Sequence, residues 1–220
     1  MTIVEPPSLS AATARGRTPR RLVQLLLGLA LLGLAIGLLV RARLGLAPWA
    51  VLHQGLAMRV GVSLGTATIG VGLVLLLAWI PLRERPGIGT VANVLLVGLA
   101  VDATLAVIPA VDLLVLRIAL GVSGVVLTSL AIAAYIGVRL GPGPRDGLMT
   151  ALVRRTGRSV RLVRTSMEVA VVVIGFFLGG TVGIATVLVA ITIGPLTQFF
   201  VKYLVIRLPT DAPPPAQARP

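Results

Sequence analysis

The sequence predicts an all-α polytopic membrane protein: six transmembrane helices as two inverted three-helix repeats, each with a short interfacial or re-entrant helix. Three observations predict it. Apolar residues come in runs too long and too numerous for one soluble core, the chain matches itself at one fixed offset, and its cationic residues fall almost wholly on one side of the alternating loops. Of 220 residues, 56% are hydrophobic and 12% charged, about half the charged fraction of a soluble domain. Mean hydropathy is +1.01.

A spanning helix needs about 20 largely apolar residues. Six segments qualify: 22–40, 64–82, 88–108, 116–136, 162–178 and 182–204. Residues 1–20, with prolines, small polar residues and arginines, are expected to form a disordered cytoplasmic tail, as is the proline-rich end, 207–220. Between them lie a first membrane repeat, 21–110, and a second, 111–206. The 22–40 run is longer than a signal-peptide core and shows no clear cleavage site, so it reads as a retained helix. Residues 44–60 and 142–158 are helix-compatible but too short and too polar to span. "LGGTVGIATV" leaves almost no loop between the fifth and sixth helices, which predicts a tight hairpin.

Loop charge sets the orientation. With the N-terminus inside, only Arg41, Arg43, Arg59 and Arg117 face out, and the other sixteen of the 20 Lys and Arg residues face in. Both termini are therefore expected in the cytoplasm, with the chain multi-pass in the bacterial inner membrane. The net charge of +13 is spent on headgroups rather than nucleic acid, since no aromatic–basic interleaving accompanies it.

Slid along itself without gaps, "RLGLAPWAVLHQGLAMRVGVS" (43–63) falls on "RLGPGPRDGLMTALVRRTGRS" (139–159). Arg43, Leu44, Gly45, Pro48, Leu52, Leu56, Arg59, Gly61 and Ser63 all meet identical residues. At the same offset "GIGTV" (87–91) meets "GIATV" (183–187), and Gly98 meets Gly194. Three spans per copy is an odd number, so the copies lie upside down relative to each other. The loop charges independently place 41–63 outside and 137–161 inside. Inverted repeats recur in secondary transporters, whose sites lie between the repeats at interrupted helices. Duplication that merely builds a stable bundle is the alternative.

"LGLAPWAVLHQGL", "RPGIGTVANVLLVGLAVD", "LGPGPRDGLMTAL", "SVRLVRTSMEV" and "GGTVGIATVLVAITIGPL" resemble the YczE/YyaS/YitT family of bacterial membrane proteins, most closely its YczE-like branch. The resemblance covers nearly all of 20–205. It implies a multi-pass inner-membrane protein and brings no established substrate or reaction. It also implies an aspartate after the tryptophan of the first copy. This chain has Ala50 there, so it lacks a matched pair of aspartates.

Pro48 and Pro144 suit the first turn of a helix, and the helix after each presents unpaired N–H groups to an anion. Arg145 adds a bidentate fork. Alternatively, Asp146 caps its own helix and Arg145 binds lipid phosphate. Candidate substrate-binding residues are Pro48, Trp49, His53, Gln54, Asn93, Pro144, Arg145 and Asp146. Trp49 and Trp79 also suit interface anchors, and Asn93 suits an interhelical hydrogen bond. Asp102, Arg164 and Glu168 are the ion-coupling candidates, because carboxylates within spans are costly and usually functional. Arg164 and Glu168 lie one turn apart and are expected to pair.

Nothing suggests an enzyme. There is no Ser–His–acid set, no metal signature and no nucleotide loop. The absence of cysteine excludes thiol chemistry, and neither cofactor nor metal is expected. The sequence thus predicts a small secondary transporter or exporter, or else a non-transporting accessory, scaffold or sensor protein. Membrane lipids are the expected partners, together with a small-molecule substrate, an anion among the candidates. A homo-oligomer is compatible with the sequence, and nucleic acid is not an expected partner.

Overall fold

The computed structural model describes residues 18–206. Among these residues it has eight helices and no strand. They are α1 (Thr18–Ala42), α2 (Pro48–Val60), α3 (Leu64–Leu82), α4 (Ile88–Val107), α5 (Leu114–Gly137), α6 (Pro144–Thr156), α7 (Val160–Phe177) and α8 (Ile184–Leu204). Helix α1 begins inside the expected 1–20 tail. The rest of that tail and the expected 207–220 tail lie outside the described residues.

Five helices, α1, α3, α4, α5 and α8, are long and apolar enough to cross a membrane. The sixth expected span is α7. It has 18 residues, and its first turns carry Arg161, Arg164 and Glu168, so by composition it does not match the other five. Helices α2 and α6 have 13 residues each, about 20 Å of helix against a hydrocarbon core of roughly 30 Å.

Helices α1 and α5 cross at the centre, where Leu25, Leu29 and Leu39 meet Val125, Ile132 and Tyr135 in the main core. Small residues permit the close approach: a Cβ on Gly124 would fall 2.8 Å from Leu39 Cγ and 3.1 Å from the Ala35 carbonyl. Helix α4 packs on α1 as α8 packs on α5.

Equivalent contacts recur at the offset of the sequence match. Gly89 N donates to Leu140 O at 2.9 Å, and Ala185 N to Leu44 O at 2.9 Å. Arg21 Nε donates to Val138 O at 2.9 Å, and Arg117 Nε to Ala42 O at 2.9 Å. Arg43 and Arg139 both take left-handed backbone, at φ 52° and 54°. Each half thus gives the other the contact it receives, the pattern of an isologous, two-fold interface.

The symmetry breaks at α3 and α7. Helix α3 lies along α4, so closely that a Cβ on Gly98 would sit 2.6 Å from Gly65 O and 2.5 Å from Ile69 Cγ1. The expected hairpin of α7 with α8 does not form. Helix α7 leans on α2 instead, where a Cβ on Gly175 would fall 2.5 Å from Leu52 N. Gly194, the counterpart of Gly98, has nothing within 4 Å of where its Cβ would be. A short loop brings helix ends together, but glycines decide which backbones meet along their length.

Candidate functional site

The two short helices are built alike. The chain reaches each through a left-handed glycine, Gly45 at φ 112° and Gly141 at φ 127°, which a Cβ would strain. Proline then starts each helix, and no side chain caps either N-terminus. Threonines tie the approaches down: Leu46 N donates to Thr186 Oγ1 at 3.1 Å, and Thr90 Oγ1 donates to Pro142 O at 2.7 Å. By contrast, Ser63 and Ser159 cap α3 and α7 with their hydroxyls.

Both helix starts open on a pair of adjoining cavities. The first, of about 90 Å³, includes His53, Thr68, Asn93, Tyr135 and Pro144 in a mostly apolar lining. The second, of about 180 Å³, includes Asp146, Met149, Arg164, Glu168 and Gln198. Trp49, Arg145 and Ile193 line both. Trp49 and Arg145 occupy matched repeat positions, and so do His53 with Met149, Thr68 with Arg164, and Gly72 with Glu168. The two halves therefore offer the same backbone positions to the cavities, with neutral groups in one half and charged groups in the other.

In the first cavity, Thr68 Oγ1 donates to Leu64 O at 2.8 Å, so its oxygen is left to accept from His53 Nδ1–H at 3.3 Å. Burial, and then the nearby Arg145 charge, push the His53 imidazole down to about 4, so it is neutral at pH 7. Its Nε2 is then an acceptor. At the seam, Tyr135 Oη donates to Asp146 Oδ2 at 2.7 Å, and Arg145 Nε stands 3.9 Å from Asp146 Oδ1. Burial opposes the Arg145 charge, but Asp146, Tyr135 and Glu168 together hold its pKa above the usual guanidinium value. In the second cavity, Arg164 Nε pairs with Glu168 Oε1 at 3.0 Å.

The structure thus brings together Trp49, His53, Asn93, Pro144, Arg145, Asp146, Arg164 and Glu168. Pro48 is buried at the start of α2 and acts by setting the helix. Several expectations are corrected. Asp146 does not cap α6, because Tyr135 takes its carboxylate. Arg145 lines both cavities. Trp79 is no interface anchor: it is 2% exposed and donates from Nε1 to Pro144 O at 3.0 Å. Trp49 likewise faces the cavities. Asn93 enters none of the interhelical hydrogen bonds among the described residues and lines the first cavity instead.

Gln54 and Asp102 lie elsewhere. Gln54 Oε1 accepts from Thr181 N at 2.7 Å beside a separate cavity with Arg41 and Arg43. Asp102 accepts from Gly65 N at 2.7 Å and from Ser63 Oγ at 2.5 Å, which fastens α4 to the start of α3. Asp102→Ala should therefore cost stability, about 1–2 kcal/mol as for a lost cap. Unfolding in mixed micelles reads this loss.

Tyr135 and Thr68 do not stand out in the sequence. Tyr135 carries one usable signal, a polar aromatic inside an apolar span, where its hydroxyl needs a partner. Thr68 carries none. Among the described residues no group of three His, Cys, Asp or Glu side chains could hold a metal ion.

Comparison with known proteins places this architecture in a family. Residues 19–202 match the family described as "Family of unknown function (DUF6198)". An "Uncharacterized protein" of Haemophilus influenzae is 36% identical over 207 residues, covering 94% of each chain. The "Uncharacterized membrane protein YczE" of Bacillus subtilis is 32% identical over 174 residues, 78% of this chain and 81% of its own. The "Uncharacterized protein YyaS" of the same organism is 26% identical over 179 residues, covering 79% of this chain and 89% of its own. No solved structure matches. With its apolar helices and these relatives, the chain is a membrane protein of the DUF6198 family, akin to YczE.

Proposed function

We propose that this protein is a small secondary transporter or exporter of the bacterial cell membrane, both termini in the cytoplasm, working by alternating access between two inverted halves. In this reading α7 completes the sixth span, and α2 and α6 are re-entrant half-helices that carry the site between the halves. The observation that carries the proposal is the broken symmetry around that site. The two halves share their local geometry, yet α3 is closed on α4 while α7 stands off α8. Two arrangements of one repeat within a single chain are what alternating access between inverted halves requires. A transporter with inverted repeats exchanges them: the conjugate state has α7 against α8 and α3 released from α4. With α7 on α8 arranged as α3 now is on α4, Thr165 takes the place that Ile69 holds against Gly98, and so lies against Gly194.

The chain contains no cysteine, so cysteine pairs can be introduced into the native background. Thr165→Cys combined with Gly194→Cys should form a disulfide on mild oxidation in native membranes, although the described structure leaves open space at Gly194. Cysteines replacing Arg59 and Arg155 should label from opposite faces of the membrane. If the first pair never cross-links, the halves are fixed and a scaffold or sensor role replaces transport. Labelling of both arginine positions from one face would remove the inverted arrangement itself.

A further inference from the structure

We infer that the paired cavities take a small zwitterion of the α-amino-acid type with an apolar side chain; this rests on the transport reading of the same cavities and names the class of substrate. The argument is a charge count. The second cavity and the seam present Arg145 and Arg164 against Asp146 and Glu168, two of each sign. The first cavity adds only neutral groups, among them His53, Thr68 and Asn93. A ligand with net charge would leave that charge uncompensated beside a lining that is already neutral. The lining therefore favours a ligand whose own charges sum to zero, which displaces the simple anion expected from the helix starts.

Geometry selects a zwitterion over an uncharged compound. Arg145 Nε and Asp146 Oδ1 stand 3.9 Å apart, beyond hydrogen-bond length. The guanidinium also bonds Tyr135, but with five N–H donors it is not saturated by these two neighbours and has donors left for a carboxylate. The carboxylates of Asp146 and Glu168 face the same cavity and offer acceptors to an ammonium. Positive and negative groups so close together match charges carried on one carbon, as in an α-amino acid, and not charges at the ends of a long chain. The first cavity then receives the side chain among Leu32, Ile36, Val94 and Val97, its volume of about 90 Å³ suiting a short aliphatic group. Trp49 closes the wall between head and tail.

The test uses the purified full-length protein in micelles, titrated calorimetrically with L-leucine, with isocaproate, which lacks the ammonium, and with isoamylamine, which lacks the carboxylate. Leucine should bind at least about tenfold more tightly than either single-charge analogue. Arg145→Lys keeps the charge but loses the fork. It should weaken leucine about tenfold and leave isoamylamine unchanged. Equal binding of isocaproate would mean a plain anion site, and equal binding of isoamylamine a cation site. Either result overturns the inference, as does failure of leucine, valine and methionine to bind at millimolar concentration. The cysteine cross-link bears only on the motion, so loss of the substrate class and loss of the transport reading are told apart.

Discussion

Trp79→Ala is expected to lower stability by about 3 kcal/mol, the low end of the range for emptying a large buried aromatic site. The indole is 2% exposed and lies flat on Gly147, where an added Cβ would come within 1.9 Å of Cζ2. Removing it opens a void at the start of α6, forfeits its van der Waals contacts, and leaves the Pro144 carbonyl without its donor at 3.0 Å. Lipid is as apolar as the core, so burial from water contributes little here and packing contributes most. Gly147→Ala should do comparable damage from the other side, since its Cβ would fall 1.9 Å from the buried ring and something must shift. Both effects are read as unfolding midpoints in mixed micelles. A change of less than about 0.5 kcal/mol for either variant would show that α6 is not held by this contact. Because the same contact positions Pro144 and Arg145, ligand affinity should fall in any Trp79→Ala protein that stays folded.

The Trp79–Gly147 contact also accounts for the broken symmetry. Its repeat counterpart joins Gly175 to Val51, with the large and small partners exchanged. Trp79 holds α3 off α6 by the thickness of a ring and lets α3 lie against α4. Gly175 lets α7 come down on the α2 backbone, with Gly55 and Gly180 giving way in the same interface, and so draws α7 away from α8. In the state described, the position that carries tryptophan in one copy and glycine in the other sets which half is closed.

This also marks how far the sequence could be read. The proline starts of α2 and α6, the left-handed glycines before them and the matched arginines were legible, because each is a local signal repeated at one offset. The Arg164–Glu168 pair, though not repeated, was legible because it lies within one turn of one helix. The place of Trp79 was not. A tryptophan near a helix end has the same local signature whether it anchors at headgroups or fills a core, and its partner Gly147 is remote in sequence. The departure of α7 from α8 was hidden because the glycines that direct it, Gly175 and Gly55, are not repeated in the other copy. Asp102 read as a lone intramembrane carboxylate, since the Ser63 and Gly65 groups that satisfy it come from another helix.

The second large effect is expected at Arg21 and Arg117, and it should be the same at both. Helices α1 and α5 each end near a left-handed arginine, Arg43 or Arg139, just before a half-helix begins. A helix end leaves its last carbonyls without intrahelical partners. Arg117 donates from Nε to Ala42 O and from Nη2 to Arg43 O, each at 2.9 Å. Arg21 returns the same service to Val138 O and Arg139 O at 2.9 and 3.1 Å. The positive charge also sits where the helix dipole is negative. Alanine at either site removes two charge-assisted bonds of about 1.5–3 kcal/mol each, and partial water access at the exposed bond brings the expected loss to about 3 kcal/mol. Lysine should not rescue it, since one ammonium cannot reproduce the fork across two successive carbonyls. Unfolding of the two alanine variants should agree within about 1 kcal/mol, because each arginine closes the other half's helix by the same geometry. A silent Arg21→Ala beside a damaging Arg117→Ala would mean that one half alone carries the crossing of α1 and α5, and the exchange of equivalent contacts on which the two-state reading depends would lose its energetic basis.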